Sequence, residues 1–487
     1  MGIQGPDQGK LFYTNINIAE RVRKDHPLRR ISSKVDFDFT YREVADRYGT
    51  NGNVSVPPPV VLKLMLLLVF YNVRSERELM LTLPERLDWL WFLGYDLDTK
   101  IPDHSILSKA RKRWGEEVFK SFFERIVIQC VESGLVDGSK IFVDSSLVEA
   151  DASNNSVIDT RSLKHQLRGN YEELEARLEE RNKNSKWGGC YRSVNNRYIS
   201  STDPDATIVG RGKPDLCYQV HRAVDEAHEV ITAADTTPGD ISEAHLLEEL
   251  LESHRSTTGR DAATVVADSK YGTIENFLAC FDMGVHAHMP DLSNSAVRRE
   301  EKRGKYPETL FHYDREKDIY ICPAGKELRP KGIYSDRGKR DYGARKKDCE
   351  SCELRSLCTS NKMGRTVNRH IRQDDLDVMR LRSRSADSKR DIRKRQSLME
   401  RSFARGKRYG YDRARWRGLW KMRIQEYLTC AIQNIQVLIS RENRPVKNPA
   451  MGARGLKPVL SRACSFFSNF PSLLGCVCWR HAVYCPR

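Results

Sequence analysis

The sequence predicts an α/β protein: a helical N-terminal region, then a mixed sheet, with a cysteine-rich insertion and an aperiodic tail. Residues 1 to about 135 carry helical periodicity, with Pro57-Pro58-Pro59 opening the run Val60 to Val73. From Lys140 the pattern changes to short runs of β-formers separated by helical stretches. Between residues 291 and 369 the apolar runs are short and four cysteines appear.

The N-terminal region continues with helical segments at Ser75 to Leu83 and Asp103 to Trp114. In the latter, Lys109, Arg111, Lys112 and Arg113 form a basic face that either meets DNA or is simply solvated. Strands are expected at Ile141 to Val143, Leu216 to Val224, Val230 to Ala234, Thr264 to Ala267 and Val285 to Met289. Helices fit at Ser242 to Ser253, whose leucines form one stripe, and at Thr273 to Met283. A charged helical excursion covers Asp159 to Asn184, and two more helices cover Ser385 to Gly406 and Arg415 to Ile439. At 487 residues the chain exceeds one hydrophobic core. The expected division is 1–135, then 136–290 together with 370–440, the insertion 291–369, and the tail 441–487.

Lys and Arg number 82 against 66 Asp and Glu, a formal net charge of +16, which favours a polyanionic partner, nucleic acid before acidic membrane. The longest apolar run, Val60 to Tyr71, holds Lys63 and is shorter than the roughly twenty residues of a spanning helix. The N-terminus has no apolar secretion core, and Pro6 stands where a myristoylation signal needs Ser or Thr, so a cytosolic protein is expected. Thirteen cysteines then point away from disulfides. A phosphate loop and a dinucleotide fingerprint are both missing from the sequence, so no nucleotide cofactor is expected.

Asp144 and Asp268 each end an apolar strand, which would set two carboxylates at one sheet edge. Such an Asp also starts turns or caps helices. Two neighbouring anions need a cation, and hard oxygen donors suit Mg²⁺ or Mn²⁺. A third candidate is Glu400, on a helix face shared with Arg393, Gln396, Phe403 and Lys407. Residues 380–423 hold 17 Lys or Arg against 4 Asp or Glu, the footprint expected for DNA phosphates.

These residues resemble the bacterial insertion-sequence transposases with an RNase H-like catalytic domain and an Asp-Asp-Glu triad. The resemblance rests on Val143-Asp144-Ser145-Ser146 with Glu149-Ala150-Asp151, on Ser201-Thr202-Asp203-Pro204-Asp205-Ala206, on Tyr218-Gln219-Val220-His221, on Ala267-Asp268-Ser269-Lys270-Tyr271-Gly272, and on Arg395-Gln396-Ser397 before Glu400. It spans residues 10 to 440 and is nearest to the subgroup called the IS eleven-eighty-two group, which carries a cysteine-rich insertion. It implies Asp144, Asp268 and Glu400 as ligands of Mg²⁺ or Mn²⁺, and Lys407 and Arg395 as contacts to DNA phosphate. It also implies a homo-oligomer on double-stranded DNA. The sequence departs from the family at Arg393, where a Tyr is usual, and at Gly406, where an apolar residue is usual.

Cys322, Cys349, Cys352 and Cys358 have gaps of 26, 2 and 5 residues and could close a tetrahedral Zn²⁺ site, there being no other evident means of holding this polar segment together. The tail cysteines Cys464, Cys476, Cys478 and Cys485 have no assigned role. Two other readings stay open: a metal-dependent nuclease that cuts without joining, and an inactive DNA-binding relic or regulator.

Overall fold

The computed structural model describes residues 17–48, 55–159, 194–210, 214–334 and 338–441, with a few more between 173 and 179. Most of the expected excursion at Asp159 to Asn184 and the whole tail beyond 441 lie outside the described residues.

Five helices matter for the N-terminal region: α1 Pro58–Phe70, α2 Glu76–Thr82, α3 Leu87–Leu93, α4 Ser105–Trp114 and α5 Glu117–Glu132. Pro58 and Pro59 sit in the first turn of α1, where a missing N–H costs nothing. α1 is apolar nearly all round, and ten of its residues from Pro58 to Val69 are buried, as such a helix requires. Among the described residues no helix is long and apolar enough to cross a membrane.

The main sheet follows. Its strands are β1 Lys140–Glu149, β2 Thr207–Val209, β3 Asp215–Asp225, β4 Ile231–Pro238, β5 Thr264–Val266 and β6 His286–His288. β1 is central: β3 runs antiparallel on one side and β5 parallel on the other, with β6 parallel beyond β5. β4 and β2 both pair antiparallel with β3. All five expected strands are present, and the three-residue β2 is an addition. Helices α6 Leu247–Thr258 and α7 Ile274–Asp282 connect the later strands, and α8 Gln373–Ser383, α9 Ala386–Lys407 and α10 Leu419–Arg441 complete the fold.

The largest core is shared. α1, α3 and α5 contribute Leu64, Phe92 and Phe122, α10 contributes Leu428 and Ile432, and the sheet contributes Phe142 and Val224. The N-terminal helices therefore bury their apolar faces partly against the long C-terminal helix, which spreads one core over distant parts of the chain.

The insertion corrects an expectation. It forms an antiparallel five-stranded sheet in the order β11-β10-β9-β8-β7, where β7 is His312–Asp314, β8 Ile319–Ile321, β9 Glu327–Tyr334, β10 Lys339–Ala344 and β11 Thr366–His370. Phe311, Tyr320, Leu328, Tyr342 and Val367 make its own core. Asp318 ties the face together by accepting from Tyr313 (2.8 Å), Tyr342 (2.6 Å) and Arg340 (2.5 Å). This segment thus has a sheet and a core of its own.

One buried histidine gives a pH prediction. His221, on β3, is fully buried with Nε2 2.9 Å from Thr237 Oγ1, and burial pushes its pKa down to about 3. The unfolded chain takes up that proton near pH 6.5, so this contribution to stability is complete above pH 6.5 and is lost as pH falls from there towards 3. By pH 5 the loss is about 2 kcal/mol. Urea midpoints at pH 7.5 and 5 should therefore diverge less in His221→Gln than in the wild type, and equal divergence would refute the assignment.

Candidate functional site

The register of β1 on β5 sets the site. Lys140 pairs with Thr264, Ile141 with Val265 and Phe142 with Val266, and continuing this parallel register by two residues brings Asp144 level with Asp268. Adjacent strands lie about 4.8 Å apart. Asp268 follows β5, and its carboxylate accepts from Lys270 N at 2.8 Å, the first turn of the loop Ser269-Lys270-Tyr271. Gly272 closes that loop against Pro290, whose carbonyl would collide with any Cβ at this position.

A third carboxylate stands here that the sequence reading missed. Glu243 lies in a short 3-10 turn ahead of α6 and is 3% exposed. It accepts from Ser145 Oγ, the neighbour of Asp144, and pairs with Lys270 Nζ at 2.5 Å, the second residue after Asp268. Gln219 on β3 donates to the same Ser145 hydroxyl at 2.6 Å. Burial is the main influence on Asp144 and pushes its carboxyl up. Arg395 opposes this, while Asp268 and Glu243 add to it. Tyr271, fully buried beneath, is pushed well above the usual phenol range first by burial and then by Glu243, Asp144 and Asp268. The bond to Glu243 leads the influences that raise the Lys270 ammonium. Three acids with two cations, Arg395 and Lys270, therefore share one sheet edge.

The remaining expected residues are placed differently. Arg395, read as a phosphate contact, is paired with Asp144 and has a side chain 13% exposed. Glu400 is exposed and accepts from Gln396 Nε2 at 3.1 Å, one turn back on α9. Five residues separate Arg395 from Glu400, about 140° around a helix, so the face that meets Asp144 does not carry Glu400. Among the described residues no group of three or more His, Cys, Asp or Glu side chains is arranged to hold a metal ion, and the expected convergence of Asp144, Asp268 and Glu400 is not formed. Lys407, at the end of α9, is exposed and 3.6 Å from Asp412. Gly406 is buried, and a Cβ there would lie 3.1 Å from Tyr411 Cγ, a tight contact that a larger apolar side chain would worsen.

The basic face of α4 is also revised. Lys109 lines an open cleft, but Arg111 is buried, pairs with Glu76 at 2.5 Å and stacks over Trp416 at 4.0 Å, so it points into the protein. The cations of residues 380–423 are widely balanced by acids distant in sequence: Arg380 by Asp291, Lys394 by Glu226, Arg401 and Arg405 by Glu229, Arg417 by Asp151 and Arg423 by Glu116. Much of that stripe holds the fold together. In the insertion, Cys322, Cys349, Cys352 and Cys358 line one pocket, and burial followed by the neighbouring thiols raises the Cys358 thiol.

The fold and this edge define a class, a mixed α/β protein with paired carboxylates on adjacent parallel strands. Comparison with known families then supplies two matches. Residues 16–113 match a family model described as a transposase domain (DUF772), and residues 321–439 match one described as a transposase DDE domain. The second stretch contains Arg395, Glu400, Lys407 and the four insertion cysteines, while Asp144, Glu243 and Asp268 lie between the two. No curated protein and no solved structure matches at a significant level. The two family matches support transposase function in general and, with it, action on DNA.

Proposed function

We propose that the chain is a DNA transposase that cuts at the ends of an insertion sequence and joins them to target DNA. The observation that carries this is the parallel register of β1 and β5, which sets Asp144 level with Asp268 beside the buried Glu243. Asp144, Asp268 and Glu243 have the hard oxygen donors that suit a divalent cation, and in this structure Arg395 and Lys270 pair with two of them. In this reading Asp144 and Asp268 would hold Mg²⁺ or Mn²⁺ and Glu243 fixes Lys270 and Ser145, while Glu400, which does not face Asp144 here, would complete an Asp-Asp-Glu set only if α9 turns when DNA binds. A divalent cation bound there would supply Lewis-acid activation of the attacking oxygen and stabilisation of the leaving oxygen.

The chain's own groups do the rest. Arg395 is the cation set beside Asp144, so a phosphate brought to this edge meets a guanidinium suited to bidentate contact. In cleavage, a water oxygen bonds to phosphorus as the P–O3′ bond breaks and the 3′ oxygen takes a proton. In joining, that 3′ hydroxyl attacks a target phosphorus and displaces the target's 3′ oxygen. Both are in-line substitutions at one site, so no covalent protein intermediate is needed. The strand order, β4-β3-β1-β5-β6 with only the last three parallel, supports an RNase H-like sheet. The IS eleven-eighty-two subgroup, assembly as at least a dimer on DNA ends, and a cytosolic location belong to the same reading. It is tested by whether the protein cleaves and joins labelled DNA bearing the ends that flank its gene; cutting without joining would point to a nuclease.

The four thiols around the insertion pocket have the donor chemistry of a structural Zn²⁺ site. Metal analysis of protein purified without chelator should find stoichiometric zinc that Cys352→Ser abolishes or sharply lowers. Zinc-free wild type with an intact fold would refute this site and leave the catalytic reading standing.

A further inference from the structure

A cleft between the N-terminal helices and the segment after α9 carries charge that its surroundings do not balance. Four arginines, Arg74, Arg77, Arg111 and Arg415, line it against one carboxylate, Glu76. That carboxylate is already shared, since its Oε1 accepts from both Arg111 Nη2 (2.5 Å) and Trp416 Nε1 (3.0 Å). Arg415 donates to neutral acceptors alone, the carbonyls of Val73 (2.6 Å) and Tyr409 (3.2 Å) and the amide oxygen of Asn72.

The cations that remain face an opening. Arg74 and Arg77 are exposed and take part in no ion pair among the described residues. Arg111, 4% exposed, leaves Nε and Nη1 without a hydrogen-bond partner in the protein, and Arg415 leaves Nε so. Burial lowers the proton affinity of both Arg111 and Arg415, and for Arg415 no carboxylate restores it. Buried donors are normally satisfied, and a concave surface lined by one sign of charge concentrates the opposite sign.

We infer that this cleft binds phosphate of the DNA backbone, with Arg74 and Arg77 touching it directly and Arg111, held by Glu76 and Trp416, as the fixed charge behind them. This rests on the transposase reading, and it adds a site outside the sheet edge that the chemistry does not use. DNA is favoured over an acidic peptide because both family models that match the chain are transposase domains, which act on DNA, and because the chain carries a formal net charge of +16. The cleft joins α2 and α4 to the Arg415–Trp416 segment. A backbone phosphate seated there would therefore be gripped by both the N-terminal region and the chain leaving α9.

The test is fluorescence anisotropy with two labelled duplexes, one carrying the gene's flanking ends and one unrelated, titrated across a range of salt. The proteins are wild type, Arg74→Ala/Arg77→Ala, Arg77→Glu, and Arg255→Ala as a control from an exposed pair with Asp261. The double variant should bind both duplexes about tenfold or more weakly, and its log–log salt slope should fall by about one for each phosphate that the protein no longer neutralises. Arg255→Ala should match wild type. An unchanged slope in the double variant overturns the inference. So does a variant that loses binding of inorganic phosphate, followed by calorimetry, while binding DNA as wild type does, since the cleft would then serve a free anion. A wild type that binds neither duplex would sink the transposase reading itself, a different result from either.

Discussion

Asp268→Asn should reduce divalent-metal-dependent cleavage of end-bearing DNA by on the order of 10³-fold or more, the scale on which removing a preorganised charge acts on a transition state. Duplex affinity should change little. The substitution is close to isosteric, and Asn can still cap the loop by accepting from Lys270 N as Asp268 does at 2.8 Å. A folded, DNA-binding protein that does not cut is therefore the expected outcome, seen by comparing cleavage rates with anisotropy on one preparation. Cleavage within about threefold of wild type would remove Asp268 from the chemistry, since a capping role alone predicts a loss of stability of about 1 kcal/mol and no more.

The second large effect is structural. Arg222 lies opposite Asp144 in the β1–β3 register and is fully buried with Glu426 of α10. The pair is bidentate, Nε to Oε1 at 2.6 Å and Nη2 to Oε2 at 3.1 Å, and Arg222 Nη1 also donates to the Ser402 carbonyl of α9 at 3.0 Å. Phe403 and Tyr411 lie within 4.9 Å of the guanidinium. Glu426→Ala strands a buried cation and should destabilise by about 3–5 kcal/mol, whereas Arg222→Met with Glu426→Leu should recover most of that loss. Chemical denaturation of the three proteins decides this. A Glu426→Ala cost below about 1 kcal/mol would mean that α10 and the sheet are held together in some other way.

The sheet was legible because strands buried on both faces appear as continuous apolar runs, and Ile141 to Val143 and Thr264 to Ala267 end in the two aspartates. The three-residue β2 has too little pattern to be read. The strands of the insertion are hard to read because β10 opens with three charged residues in a row, Lys339, Arg340 and Asp341, which breaks any alternation, and its buried Tyr342 depends on partners elsewhere in the chain.

At the site, Asp144 and Asp268 were readable from position, but Glu243 was not. Its neighbours Leu246, Leu247, Leu250 and Leu251 gave an amphipathic helix, and the acid falls in the 3-10 turn before it. The local sign was an acidic residue one place after Ser242 at a helix start, which capping explains equally well. The rotation of α9 and the inward turn of Arg111 are set by Asp144, Glu76 and Trp416, none of them close in sequence. Local periodicity gives a helix its faces but not the face it buries.

The most direct test of the account is cleavage and strand transfer of labelled DNA carrying the gene's flanking ends, in Mg²⁺ or Mn²⁺ and in EDTA, by wild type, Glu400→Gln and Glu243→Gln. Metal-dependent cutting followed by joining is expected in the wild type, neither in Glu400→Gln, and a reduced rate with higher cation demand in Glu243→Gln. A wild type that binds these ends and cuts them with no divalent ion, or a Glu400→Gln protein that cuts and joins as well as wild type, would contradict it.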